Sequence, residues 1–119
     1  MADIQLYGIP NCDTVKRARA WLAAHGAEHD FHDFKKAGVP ARELPRWLAA
    51  LGRERLLNRA GSTWRNLDEA QRAAAADEAG AAALMRAQPS VIKRPVVRWP
   101  DGSFSVGFDA EGWARRLPR

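Results

Sequence analysis

The chain has 119 residues, 46% of them hydrophobic, and a formal net charge of +5 at pH 7. That is the size of one ordinary domain with one core. No apolar run is long enough for a membrane span, and the N-terminus lacks a basic-then-apolar signal pattern, so a cytoplasmic protein is expected. One cysteine, Cys12, excludes an internal disulfide and fits a reducing compartment. The positive charge permits an acidic or anionic partner. Arg and Lys are interspersed with Asp and Glu, so neither a nucleic acid nor a membrane is expected as a direct partner.

The pattern predicts a strand over Asp3–Tyr7, followed by the turn Gly8-Ile9-Pro10-Asn11. Asn11 or Cys12 opens a helix to about His25, with Val15, Ala18, Leu22 and Trp21 facing inward. Gly26 is placed to end it in the left-handed region. A strand over Glu28–Asp33, anchored by Phe31, completes a parallel βαβ unit. Pro40 suits the first turn of the next helix, in which Leu44, Trp47, Leu48 and Leu51 form an apolar face that Gly52 ends. Arg53–Arg65 read as a basic, irregular connection. Asn66 and Glu69 have capping-box spacing, predicting a helix over Leu67–Glu78; Gly80 then breaks the alanine-rich stretch, and a second helix ends before Pro89. Val96 and Val97 begin a strand, Trp99–Ser103 turn, and Phe104–Val106 return antiparallel. Asp109 can cap a last helix holding Trp113 and Leu117.

The order β-α-β, helices, β-β-α predicts an α/β fold of thioredoxin-like layout. It comprises a mixed four-stranded sheet in one domain, with a helical insertion over about residues 40–88.

Cys12 is the candidate nucleophile. A thiol at a helix start faces the positive end of the helix dipole and unpaired N–H groups, which favour thiolate. Lys93 and Arg94 would lie close if the third strand runs beside the first. Their charge would lower the thiol pKa and attract carboxylates or an oxyanion. Asp13 would act in the opposite sense. Asn11 and Thr14 either donate hydrogen bonds to sulfur or ligand, or cap the helix. Such a thiolate can attack a disulfide sulfur, an oxidised sulfur or As(V). With no second cysteine, an external thiol must resolve the adduct, and glutathione is the expected co-substrate. His25, His29 and His32 have metal-like spacing, but a helix end and opposite strand faces separate them, so no metal is expected.

Four stretches carry a resemblance: Tyr7-Gly8-Ile9-Pro10-Asn11-Cys12, Leu56–Arg59 through Thr63–Arg65, Pro89–Pro95, and Val106-Gly107-Phe108. Together they resemble the ArsC-like branch of thioredoxin-fold proteins, which includes glutaredoxin-coupled arsenate reductases and Spx-type regulators. They are most similar to a bacterial subgroup of ArsC-related thiol reductases. The resemblance implies an oxidoreductase with Cys12 as nucleophile, Arg94 and Arg59 as anion-binding arginines, and a cis Pro95 beside the thiol. It also implies glutaredoxin as a partner. An Spx-like module contacting RNA polymerase is the alternative. Three departures stand out. Gly107 occupies the place of an arsenate reductase arginine. A second family arginine aligns with Ala60, beside Arg59. Val15 occupies the place of the second cysteine of the Spx Cys-x-x-Cys pair.

Overall fold

Ile4 and Leu6 flank the more polar Gln5 along β1 (Ile4–Gly8), so this strand presents an apolar face. In the computed structural model, which describes residues 2–117, β1 has a partner on each side. β2 (His29–Asp33) runs parallel to it and β3 (Val96–Arg98) antiparallel. β4 (Phe104–Val106) pairs antiparallel with β3. The order β2-β1-β3-β4 is the predicted mixed, thioredoxin-like sheet. Residues up to Phe34, with those from Arg94 onward, make a sheet unit; Lys35–Lys93 make a helical unit.

In the sheet unit, α1 (Asp13–Ala24) buries Val15, Ala18 and Leu22 against Ile4, Leu6 and Val97. Each large side chain fully buried there stabilises the fold by about 1.5–3 kcal/mol. Gly26 ends α1 at φ 65°, and the N–H of Ala27 reaches back to the Leu22 carbonyl at 2.9 Å, a Schellman cap. Trp21 is half-buried. The β3–β4 turn closes with Trp99 N–H on the Ser103 carbonyl at 2.8 Å, and Gly102 supplies the positive φ. The indole of Trp99 donates to Ser105 Oγ at 2.8 Å. α8 (Ala110–Arg116) follows Asp109 as expected, but the Asp109 side chain makes no capping hydrogen bond. Packing fixes this helix instead. Trp113 meets Phe108 and Trp99 edge-on, with centroids 4.8 and 5.0 Å away.

α2 (Phe34–Ala37), a single turn not foreseen in the sequence, spans the boundary between the units. In the helical unit, α3 (Glu43–Leu51) buries Leu44, Trp47, Leu48 and Leu51 as predicted, and Gly52 ends it at φ 80°. It starts later than Pro40, whose carbonyl accepts the Glu43 and Leu44 N–H groups at 3.1 Å. Pro45 therefore falls in the first turn, where a missing N–H costs nothing. The stretch read as irregular contains two one-turn helices, α4 (Arg53–Leu56) and α5 (Ser62–Arg65).

The alanine-rich region corrects two expectations. The capping box is Asp68 with Gln71, not Asn66 with Glu69, and it opens α6 (Glu69–Ala74). The break falls at Ala75–Asp77 rather than at Gly80. Asp77 caps α7 (Glu78–Ala87) by accepting the Gly80 N–H at 2.6 Å. Gly80 is needed for another reason: a Cβ there would sit 1.6 Å from the Ala74 carbonyl oxygen. A 3-10 turn, Pro89–Val91, and a bridge between Leu57 and Ile92 complete the unit. No helix among the described residues is long and apolar enough to cross a membrane.

Candidate active site

The turn after β1 delivers Cys12 to the N-cap position of α1, in extended conformation at φ −143°, ψ 123°. Gly8 allows a close approach here, since a Cβ on it would lie 3.0 Å from Val15 Cγ2. The same point is 4.0 Å from Arg94 Cβ. The register explains this approach. Tyr7 lies opposite Val96, so the residues preceding Val96 run beside Gly8 and the Cys12 turn. The Arg94–Pro95 bond is cis, as the resemblance implies, and the Pro95 carbonyl accepts the Gly107 N–H at 2.9 Å. Cys12 itself is half-buried and packs against the core cluster of the sheet unit.

The electrostatics of the thiol follow from these neighbours. Burial pushes the Cys12 thiol up. The Val15 amide, the hydrogen-bonding and charged guanidinium of Arg94, and the Thr14 amide together outweigh burial and hold it below the ordinary thiol value. The sulfur makes no formal capping hydrogen bond with the helix amides. Their dipoles nevertheless point at it, since Thr14 and Val15 are the second and third residues of α1. The opposing influence is burial and not Asp13, whose side chain is exposed. Arg94 is the cation acting on the thiol. Lys93 belongs to the helical unit, where its side chain is exposed and its N–H donates to the Leu56 carbonyl at 2.7 Å.

The arrangement thus holds a half-buried thiol whose ionised form is favoured by the guanidinium of Arg94 and the amides that open α1. The whole sequence from Tyr7 to Arg115 matches the ArsC family, residues 7–115. The chain belongs to the ArsC family. The solved structure of a protein named YffB is similar at 50% identity and a TM-score of 0.90, covering 97% of this chain and 99% of that one. An arsenate reductase (ArsC) related protein from Brucella melitensis is 48% identical with a TM-score of 0.74, over 97% and 93% of the two chains. An uncharacterized protein of Haemophilus influenzae is 41% identical over 89% of this chain and 91% of its own length. More distantly, the global transcriptional regulator Spx of Streptococcus agalactiae is 26% identical over 98% of this chain and 84% of its own.

Within this ArsC chain, the sheet unit brings together Cys12, Thr14, Arg94 and Pro95, with Asn11 exposed in the adjoining turn. The Thr14 contribution comes from its amide rather than its hydroxyl. Arg59 belongs to the helical unit, with its guanidinium 5.6 Å from the Trp64 ring centroid. Gly107, in place of the family arginine, adopts φ 84°. Sequence reasoning missed the Val15 amide, having read Val15 only as core. Its position three residues after an N-cap was the available signal. His25 stacks on Trp21 at 3.9 Å, and His29 accepts from Arg19 Nε at 3.0 Å. Among the described residues, no three His, Cys, Asp or Glu are grouped to hold a metal ion.

Proposed function

We propose that this ArsC-family protein is a monothiol, glutathione-dependent disulfide reductase with Cys12 as its nucleophile. The observation that carries the reading is the pairing of Cys12 with Arg94, which favours thiolate in a chain with no second cysteine. The Cys12 thiolate attacks one sulfur of a mixed disulfide of glutathione. A Cys12–glutathione disulfide forms, and the substrate thiolate leaves and takes a proton from water. A second glutathione thiolate then attacks the glutathione sulfur of that adduct. Oxidised glutathione departs and Cys12 returns as thiolate. Arg94 stabilises the Cys12 thiolate in the resting and regenerated states and offers a cation to a glutathione carboxylate. In this reading the exposed Asn11 and half-buried Thr14 contact the bound glutathione, and the cis Pro95 that follows Arg94 borders the site. Arsenate is a weaker candidate, because Gly107 supplies no guanidinium.

The test is turnover of a small glutathione mixed disulfide with glutathione as reductant, alongside intact mass of the enzyme during turnover. Wild type should cycle and show the glutathione adduct, and Cys12→Ser should do neither. Wild-type protein that gives no adduct and no turnover with any disulfide would remove the reading.

The likeness to Spx favours a second reading, a module that binds RNA polymerase. Retrieval of polymerase by the protein that survives Cys12→Ser would support that reading over the enzymatic one.

A further inference from the structure

Gly8 is the last residue of β1 and, unlike Gly26 and Gly102, it has no positive φ. A strand favours a side chain over glycine, so glycine here answers a demand for space and not for backbone freedom. Leu6, two residues earlier, packs in the core cluster that contains Val15, and Gly8 faces the same side of the sheet. A Cβ on Gly8 would lie 3.0 Å from Val15 Cγ2, 3.8 Å from Val15 Cγ1 and 4.0 Å from Arg94 Cβ.

Val15 and Arg94 are also the residues that act most strongly in favour of the thiolate. Burial raises the Cys12 thiol, and the Val15 amide and then the Arg94 guanidinium bring it down. The one position of β1 without a side chain therefore borders both. Val15 cannot give way cheaply. Its side chain is fully buried, and a β-branched residue in a helix has one strongly preferred rotamer. A methyl at position 8 is therefore relieved by a shift of the α1 start away from β1. Cys12 is the N-cap of α1 and moves with the Val15 amide, whereas Arg94 stays with the chain entering β3.

We propose that Gly8 is a positioning residue, whose missing side chain lets the start of α1 close on the Arg94 segment and so sets how strongly Arg94 acts on Cys12. The inference rests on the thiolate reading of Cys12 and adds the contact that tunes it.

The test is the pH dependence of iodoacetamide labelling of the full chain, read by intact mass, with thermal unfolding to confirm that each variant is folded. Gly8→Ala should raise the labelling midpoint by about half a pH unit and slow labelling at neutral pH about threefold. Val15→Ala keeps the amide and removes both γ-methyls, so it should leave the midpoint unchanged. Gly8→Ala combined with Val15→Ala should return the midpoint to the wild-type value, which a loss of stability alone would not do. In the Arg94→Ala background, Gly8→Ala should add no further rise, because the cation that it displaces is gone. A wild-type midpoint at or above that of a free thiol would remove the thiolate reading and this inference with it. A low wild-type midpoint that Gly8→Ala leaves unchanged would overturn the role of Gly8 alone. So would a rise that persists with Val15→Ala, or one that adds to that of Arg94→Ala. If Gly8→Ala does not fold, its combination with Val15→Ala carries the test. A folded double variant with the wild-type midpoint supports the contact, and one that also fails to fold, or titrates higher, overturns it.

Discussion

The guanidinium of Arg94 lowers the pKa of the Cys12 thiol, although 82 positions separate the two residues in sequence. The antiparallel pairing of β1 with β3 places Arg94 beside the turn that ends at Cys12, and α1 aims the Thr14 and Val15 amides at the same sulfur. One strand register and one helix start thus converge on one atom.

This convergence makes the ionised thiol a contributor to stability. Burial raises its pKa, but the Val15 amide, Arg94 and the Thr14 amide lower it further, so the folded value lies below the unfolded one. The stabilising contribution is therefore fully present above the unfolded value of about 8.5 and is lost as pH falls through the folded pKa. The stability of wild type relative to Cys12→Ser should rise with pH and level off in the alkaline range. Urea unfolding of both proteins across that range checks this. A difference that is flat or falls with pH contradicts it.

The capping box at Asp68 should be measurable by substitution. Asp68→Ala removes the acceptor of the Gln71 N–H and should cost about 1 kcal/mol. Asn66→Ala, at the position that sequence spacing favoured, should be near neutral, because Asn66 is exposed and outside the cap. Denaturant midpoints of the two variants distinguish the two placements.

Gly80→Ala should be far worse than an ordinary glycine-to-alanine change in a helix, which helix propensity favours. The new Cβ would overlap the Ala74 carbonyl oxygen, so α6 and α7 must move apart. A loss of about 1–3 kcal/mol is expected, as for overpacking. It should appear as a lower denaturant midpoint at unchanged slope.

The sheet and the placement of Cys12 were legible because their signals are local and strong. Ile4 and Leu6 show the alternation, Val15, Ala18 and Leu22 the helical spacing, and Gly26 and Gly102 the positive φ that their turns require. The interior of the helical unit was less legible. In Ala73–Ala83 nearly every residue is a helix former, so propensity could not locate the break that Asp77 and the Ala74–Gly80 contact impose. One-turn helices such as Arg53–Leu56 are too short to show a period. Arg59, to which the resemblance gave an anion-binding role, lies in the helical unit with its guanidinium 5.6 Å from the Trp64 ring centroid, a neighbour that no sequence spacing announced.

The central claim is that Arg94 helps hold Cys12 as a reactive thiolate, and the most direct measurement is the pH dependence of iodoacetamide labelling of the folded protein, read by intact mass. Wild type should titrate below the ordinary free-thiol value of about 8.5. Arg94→Ala should move the titration upward and slow labelling at neutral pH, and Arg94→Lys should restore part of the shift by keeping the charge without the planar fork. A wild-type titration at or above the free-thiol value, with Arg94→Ala making no difference, would contradict the account.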